Sequence, residues 1–154
     1  MPNPFAGFRG LVVGLAIFVV NWVIAYLRLV RGNSFDFDAG AEAGEFEKRL
    51  ANYIDIGKFI LGLASGSIVL LIGSSALRKS ETLPGAYASP LFLLALSIVY
   101  GIFLMVFLTT NYEAYKHKTS DYTSFKYSRN VALGYSTLFC FCVGYAWLTF
   151  IVTR

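Results

Sequence analysis

The sequence predicts an all-α integral membrane protein: a four-transmembrane-helix bundle with cytoplasmic helical extensions of spans two, three and four. Charged residues make up only 14% of the 154 residues, against about 25% in soluble domains, and 56% of the residues are hydrophobic. The charges are also gathered into short blocks that separate long apolar runs. A chain of this length is expected to form one membrane domain, residues 1–154, without a separate soluble domain.

Four apolar runs are long enough to cross a bilayer, whose hydrocarbon core of about 30 Å takes about 20 helical residues. They cover approximately residues 10–30, 59–77, 91–110 and 131–152, and each is bounded by charged residues. Ser89 and Pro90 stand just before the third run. A hydroxyl N-cap followed by proline at the first helical position is a typical helix start, so we expect the third helix to begin there.

The distribution of lysine and arginine predicts the orientation of the spans. Of the 13 such residues, four belong to the two termini and the second loop, and the other nine are Arg28 at the end of the first span and the residues of the loops 31–58 and 111–130. Cytoplasmic loops carry the excess of positive charge. We therefore expect these two loops in the cytoplasm and both termini outside, in the plasma membrane.

Both cytoplasmic loops carry helical patterns, in approximately residues 42–58 and 111–130. Glu45 and Arg49 are spaced for an i,i+4 ion pair, and no turn signal separates them from the second span, which predicts one helix over about residues 42–78. In the third loop, Ser120 or Asp121 is expected to cap a fourth helix that begins outside the lipid. The residues expected to line a small cytoplasmic bundle are Phe46, Leu50, Tyr53, Tyr112, Tyr115, Tyr122 and Phe125.

Small residues recur at helical spacing in the spans, and such residues permit the close backbone contacts through which helices associate in lipid. In the second span, Gly62 and Gly66 form a G-x-x-x-G pair, with Gly73 on the same face and Ser65 beside it. The corresponding residues are Gly10, Gly14 and Asn21 in the first span and Ser136, Cys140 and Gly144 in the fourth. Packing within one bundle explains each of these faces. A homo-oligomeric seam through span one or two is the alternative.

Polar groups without charge lie inside two of the spans. Asn21 is near mid-bilayer, where an unpaired amide is costly, so we expect it to form a hydrogen bond with another helix. Ser65, Ser67 and Ser74 add hydroxyl groups in the second span. Such a set suits a weakly selective pore, lined by Asn21 or by the serines.

The sequence offers no residues arranged for catalysis, and we expect neither an enzyme nor a site for a metal or cofactor. His117, the one histidine, lies in a basic loop, and no carboxylate lies within a span, which disfavours pumps and secondary carriers. The acidic stretch of residues 36–47 partly follows EF-hand spacing. However, Gly40 replaces an oxygen ligand and Ala41 replaces the turn glycine, which favours a solvated linker.

The third loop alternates basic and aromatic residues. Its cations include Lys116, Lys118, Lys126 and Arg129. On a cytoplasmic face this mixture suits anionic lipid headgroups and the interfacial aromatic belt. The expected partners are therefore the lipid bilayer and either further copies of the chain or a partner membrane protein, and no nucleic acid.

The run from Lys58 to Leu70, KFILGLASGSIVL, resembles a segment of small uncharacterised bacterial membrane proteins with four spans. In those proteins a cytoplasmic helix continues into a glycine- and serine-rich span, and some of them are assigned to anti-phage systems. The resemblance implies a membrane component of such a system.

Two functions are compatible with these features. The first is an oligomeric membrane protein that conducts ions or perturbs the bilayer. The second is a non-catalytic scaffold or accessory subunit of a membrane complex, which docks a partner through small-residue helix faces.

Overall fold

The structure is a computed structural model that describes residues 6–31, 43–73, 85–117 and 123–153. These ranges contain four helices: α1 (Ala6–Arg31), α2 (Ala43–Gly73), α3 (Gly85–Lys116) and α4 (Ser124–Thr153). Each contains a segment long and apolar enough to cross a membrane, namely Phe8–Arg28, Leu50–Leu70, Gly85–Ala114 and Phe125–Thr153. The predicted fold class, an all-α bundle of four membrane helices, is confirmed.

Helix α3 lies at the centre of the bundle, with α1 and α4 packed on one side and α2 on the other. Gly10 lies against Ser89 and Gly14 against Leu96, so α1 and α3 run in the same direction. Within the described residues, α1 and α2 do not touch. Three helices therefore form a compact unit, and α2 is attached to it mainly through α3.

Helices α2 and α4 run opposite to α3. Along α2, Gly57 lies against Met105 of α3. A little further on, Leu61 meets Gly101 at the point where α3 also touches Thr137 of α4. The bundle thus has an up-down-up-down arrangement, which places the first and third connections at one end and the second connection with both termini at the other.

The apolar core has two parts that share α3. Leu93 and Tyr100 of α3 pack with Leu133 and Cys140 of α4, and this cluster faces α1. The neighbouring residue Leu94 points to the other side, where it packs with Leu148 and Ile68. Adjacent α3 residues thus serve two different helix interfaces.

The predicted start of the third helix is wrong, because α3 begins at Gly85 and carries Pro90 in its interior. Ser89 and Pro90 are both buried rather than placed at a helix end. Two glycines of neighbouring helices lie against this turn: Gly10 against the Ser89 carbonyl and Gly144 against the Pro90 carbonyl. Close contact with α1 and α4 holds the chain helical through a pair of residues that locally favours a helix boundary.

Helix α2 is continuous from Ala43 into the second span, as the pattern predicted, and the final residues of the predicted helix, 74–78, lie outside the described residues. Helix α4 begins at Ser124. Its cap is Thr123, whose hydroxyl accepts a hydrogen bond from the Lys126 amide at 3.4 Å. The expected caps, Ser120 and Asp121, lie outside the described residues.

Two of the seven residues expected to line a small bundle beyond the membrane are exposed in the structure. Tyr53 is 59% exposed and Phe125 is 53% exposed, although Leu50 and Tyr112 are half-buried. The ring of Phe125 instead lies edge-on to Trp22 of α1, with centroids 5.9 Å apart. The side chains of Phe46, Tyr115 and Tyr122 lie outside the described part of the structure.

Candidate functional site

Three hydrogen bonds link α1, α3 and α4 inside the apolar segments. The Asn21 amide donates to the Ser136 hydroxyl at 3.3 Å, which gives Asn21 a partner on another helix. The Ser97 hydroxyl donates to the Thr137 carbonyl at 2.8 Å, and the Tyr100 hydroxyl donates to the Gly14 carbonyl at 3.2 Å. These three hydrogen bonds pair the named polar groups with one another across the helix interfaces.

The small residues expected to pack in α1 and α4 lie at helix contacts. A methyl group added at Gly10 would collide with the Ser89 carbonyl oxygen, and one at Gly14 with the Leu96 side chain. At Gly144 the added carbon would be 3.1 Å from Cβ of Leu93. Ser136 and Cys140, on the same helix as Gly144, are fully buried. These five residues occupy the interfaces of α1 and α4 with α3 and with each other.

The glycines of α2 behave differently. A methyl group at Gly62, Gly66 or Gly73 would have no heavy atom of the described residues within 4 Å. Packing against the rest of this bundle therefore does not explain these three glycines, which corrects that part of the sequence interpretation. Ser65, predicted to flank the packing face, is likewise exposed.

The opposite side of α2 makes the contacts within the chain. Gly57, Ile60 and Ala64 are buried, and Ile68 packs against Leu94. Ile60 and Gly62 are two residues apart, which is about 200° around a helix, so burying one leaves the other pointing outward. Contacts that include those of Ile60 and Ile68 thus determine which side of α2 faces the bundle.

The outward side of α2 is called here the open α2 face, and it consists of Phe59, Gly62, Gly66, Val69 and Gly73. Phe59 is 67% exposed and Val69 is 69% exposed. These two side chains project beside glycines that have no side chain. The face therefore combines ridges and a groove along one apolar stripe.

The two described serines of the second span, Ser65 and Ser67, lie on a helix that does not touch the helix of Asn21. The Ser67 hydroxyl donates to the Leu63 carbonyl of its own helix at 2.8 Å. Ser74 lies outside the described residues. Because α1 and α2 do not touch in the described part of the chain, Asn21 and the α2 serines belong to separate regions of the molecule.

The basic residues near the end of α3 and the start of α4 differ in their surroundings. The Lys116 ammonium lies 5.9 Å from the Tyr112 ring centroid and is exposed, and Lys126 is half-buried. The Arg129 guanidinium lies only 3.8 Å from the Phe107 ring centroid. A desolvated cation–π contact of this kind contributes about 2 kcal/mol. Lys118 lies outside the described residues.

No protein family, curated protein or solved structure matches this chain. The function is therefore inferred from the contacts within the chain itself. Within the described residues no group of three histidine, cysteine or acidic side chains is placed to hold a metal ion. The acidic stretch of residues 36–42 lies outside those residues.

Two features of the region around Arg129 were absent from the sequence interpretation. Asn111 was assigned to the loop after the third span, yet it is buried in α3. Phe107 was counted as an apolar span residue, although it receives the Arg129 guanidinium. The i,i+4 spacing of Phe107 and Asn111 indicates a shared helix face, but only the position of α4 reveals what that face contacts.

Proposed function

We propose that this protein is an oligomeric, non-enzymatic membrane protein whose copies assemble through the open α2 face. The supporting observation is the contrast among its glycines. Gly10, Gly14 and Gly144 lie against neighbouring helices of the same chain, whereas Gly62 and Gly66 do not. A helical glycine costs about 0.5–1 kcal/mol relative to alanine, and close contact with a second copy offsets that cost.

The position of α2 supports this proposal. Helix α2 lies at the edge of the bundle and does not touch α1 in the described residues, which leaves its outer side accessible to another copy. A groove at Gly62 and Gly66 beside ridges at Phe59 and Val69 is complementary to its own two-fold copy. Symmetric pairs of identical patches are the commonest form of homo-oligomer interface.

Ion conduction is the finer part of the proposal. If several copies pack head-to-tail through α2 in a closed ring, rather than as a two-fold pair, exposed Ser65 at the border of the open α2 face contributes a hydroxyl near the ring axis. Uncharged polar groups of this kind suit weakly selective conduction. Docking of a partner protein's helix on the same face is the alternative, which corresponds to a scaffold or accessory subunit.

The substitution Gly66→Ile tests assembly. Wild-type protein in nanodiscs is expected to have a mass that is a multiple of 17.0 kDa. The variant is expected to be monomeric, with the unfolding midpoint of wild-type protein diluted to the monomer, since no described atom of its own chain lies near the added side chain. Native mass spectrometry measures the first property and thermal unfolding in detergent the second. Leu63→Ile, at an exposed residue beside the face, is the matched control and is expected to assemble normally.

A monomeric wild type, or a Gly66→Ile variant that assembles fully, contradicts the proposal. Measurements of ion flux in liposomes then distinguish ion conduction from a purely structural role. Flux through wild-type protein that is lost in Gly66→Ile supports conduction. Assembly without flux favours the structural role.

A further inference from the structure

A cluster of hydrogen-bond donors lies between α3 and α4, at the end of the bundle that holds Lys116. Arg129 of α4 is half-buried, with its guanidinium 3.8 Å from the centroid of Phe107. Asn111 lies one helical turn beyond Phe107 on α3, and residues four apart share a helix face. Arg129 of α4 therefore lies on the side of α3 that carries Phe107 and Asn111.

Both side chains have donors that no described acceptor satisfies. Asn111 is only 9% exposed, and its Nδ2 atom is buried without a hydrogen-bond partner. The Nε atom of Arg129 is also buried without one. No carboxylate in the described ranges forms an ion pair with Arg129. A half-buried guanidinium with a buried, unused Nε donor, on the same side of α3 as an unused amide donor, calls for an acceptor with negative charge.

The cluster lies near the ends of two candidate membrane spans, where the headgroup layer is expected. Arg129 follows the start of α4 by five residues, and Asn111 precedes the end of α3 by five, which places each about 7.5 Å inside a helix end. Trp22 contacts Phe125 near the same end, and Tyr112 contacts Lys116. Aromatic residues of these types gather at the membrane–water interface, where lipid phosphates lie.

We propose that Arg129 and Asn111 form a binding site for the phosphate group of an anionic phospholipid. A guanidinium donates two parallel hydrogen bonds to phosphate oxygens, and the Asn111 amide donates a third. Phe107 holds the guanidinium from behind, so the fork is oriented before the lipid arrives. The site lies away from the open α2 face and is independent of the proposed assembly.

Native mass spectrometry of protein incubated with equal amounts of phosphatidylglycerol and phosphatidylcholine tests this site. Wild-type protein is expected to retain phosphatidylglycerol preferentially. Arg129→Lys keeps the charge but loses the planar fork, and Asn111→Leu removes the amide donor. Each is expected to weaken that retention about tenfold. Arg28→Gln removes an exposed cation of α1 at the same end of the bundle and is expected to retain the lipid as wild type does.

Two further measurements make the test decisive. Unfolding midpoints of lipid-free protein are compared first, so that a loss of retention in folded Arg129→Lys reports on the site. Inorganic phosphate is then added at millimolar concentration. If phosphate stabilises wild type but not Arg129→Lys while lipid retention is not selective, the same site is assigned to free phosphate instead of a lipid. Equal retention by wild type and both variants, with no effect of phosphate, overturns the proposal.

Discussion

Asn21 lies in an apolar segment, and its energetic role depends on one neighbouring hydroxyl. Its amide donates to Ser136 at 3.3 Å across the α1–α4 interface. Hydrogen bonds of this type between membrane helices contribute about 0.6 kcal/mol on average and at most about 1.7 kcal/mol. The pair therefore orients two helices more than it stabilises the whole bundle. Its contribution is local and measurable.

Replacing Asn21 with leucine is expected to lower the free energy of unfolding by about 0.6–1.7 kcal/mol, because Ser136 loses its donor. Reversible unfolding in mixed micelles measures the change. Ser67→Ala is the control, since the Ser67 hydroxyl bonds only to its own helix, and a change within about 0.5 kcal/mol is expected there. If Asn21→Leu unfolds no more easily than wild type, the pair makes no net contribution.

Among the helices, α3 decides the architecture because every other helix packs against it. The turn at Ser89 and Pro90 shows how close the contact is, since glycines from both α1 and α4 lie against its carbonyl groups. Small residues at these points let main chains approach without intervening side chains. A larger residue forces the helices apart or shifts the α3 backbone.

Gly10→Ala is expected to destabilise the protein by about 1–3 kcal/mol, because its methyl group meets the Ser89 backbone, which cannot turn away as a side chain can. Gly134→Ala is the matched control. There the added carbon would lie 3.6 Å from the Leu104 side chain, an ordinary contact. The control is expected to be neutral or stabilising by up to about 1 kcal/mol.

Denaturant unfolding of both alanine variants in the same detergent provides the comparison. Equal stability of Gly10→Ala and Gly134→Ala would show that α1 can move away from α3 at little cost.

At the scale of the whole molecule, the antiparallel arrangement separates two chemically different ends. Arg9 lies at the end that holds the start of α3, and Lys116 lies at the other. The excess of lysine and arginine belongs to the Lys116 end, and positive charge favours retention in the cytoplasm. We therefore expect the α3–α4 end, with its proposed phosphate site, on the cytoplasmic side.

Cysteine labelling tests this orientation. In a background with Cys140 and Cys142 replaced by serine, Arg9→Cys is expected to react with a membrane-impermeant maleimide in intact cells. Lys116→Cys is expected to react only after the membrane is permeabilised. Both positions are exposed, so accessibility within the protein does not limit either reaction. The reverse labelling pattern would invert the assignment.

The sequence by itself determined the membrane class, the four helices and the continuity of α2 from Ala43 into its span. These properties depend on the length and hydropathy of contiguous segments, which each segment carries independently of its neighbours. The Ser89–Pro90 pair, which the sequence suggested as a helix start, lies inside α3 and did not predict where that helix begins. That start depends on how α1 and α4 contact the turn.

Only the tertiary structure decided what each small-residue face contacts. In sequence, Gly62 and Gly66 have the same spacing as Gly10 and Gly14, yet only the second pair packs within the chain. The spacing of small residues predicts a surface that permits close approach of another helix. Which side of the helix faces the bundle depends on all its contacts, and in α2 the buried side is the one that carries Ile60. Contacts between distant segments likewise brought Arg129 to Phe107, because α3 and α4 meet only after folding.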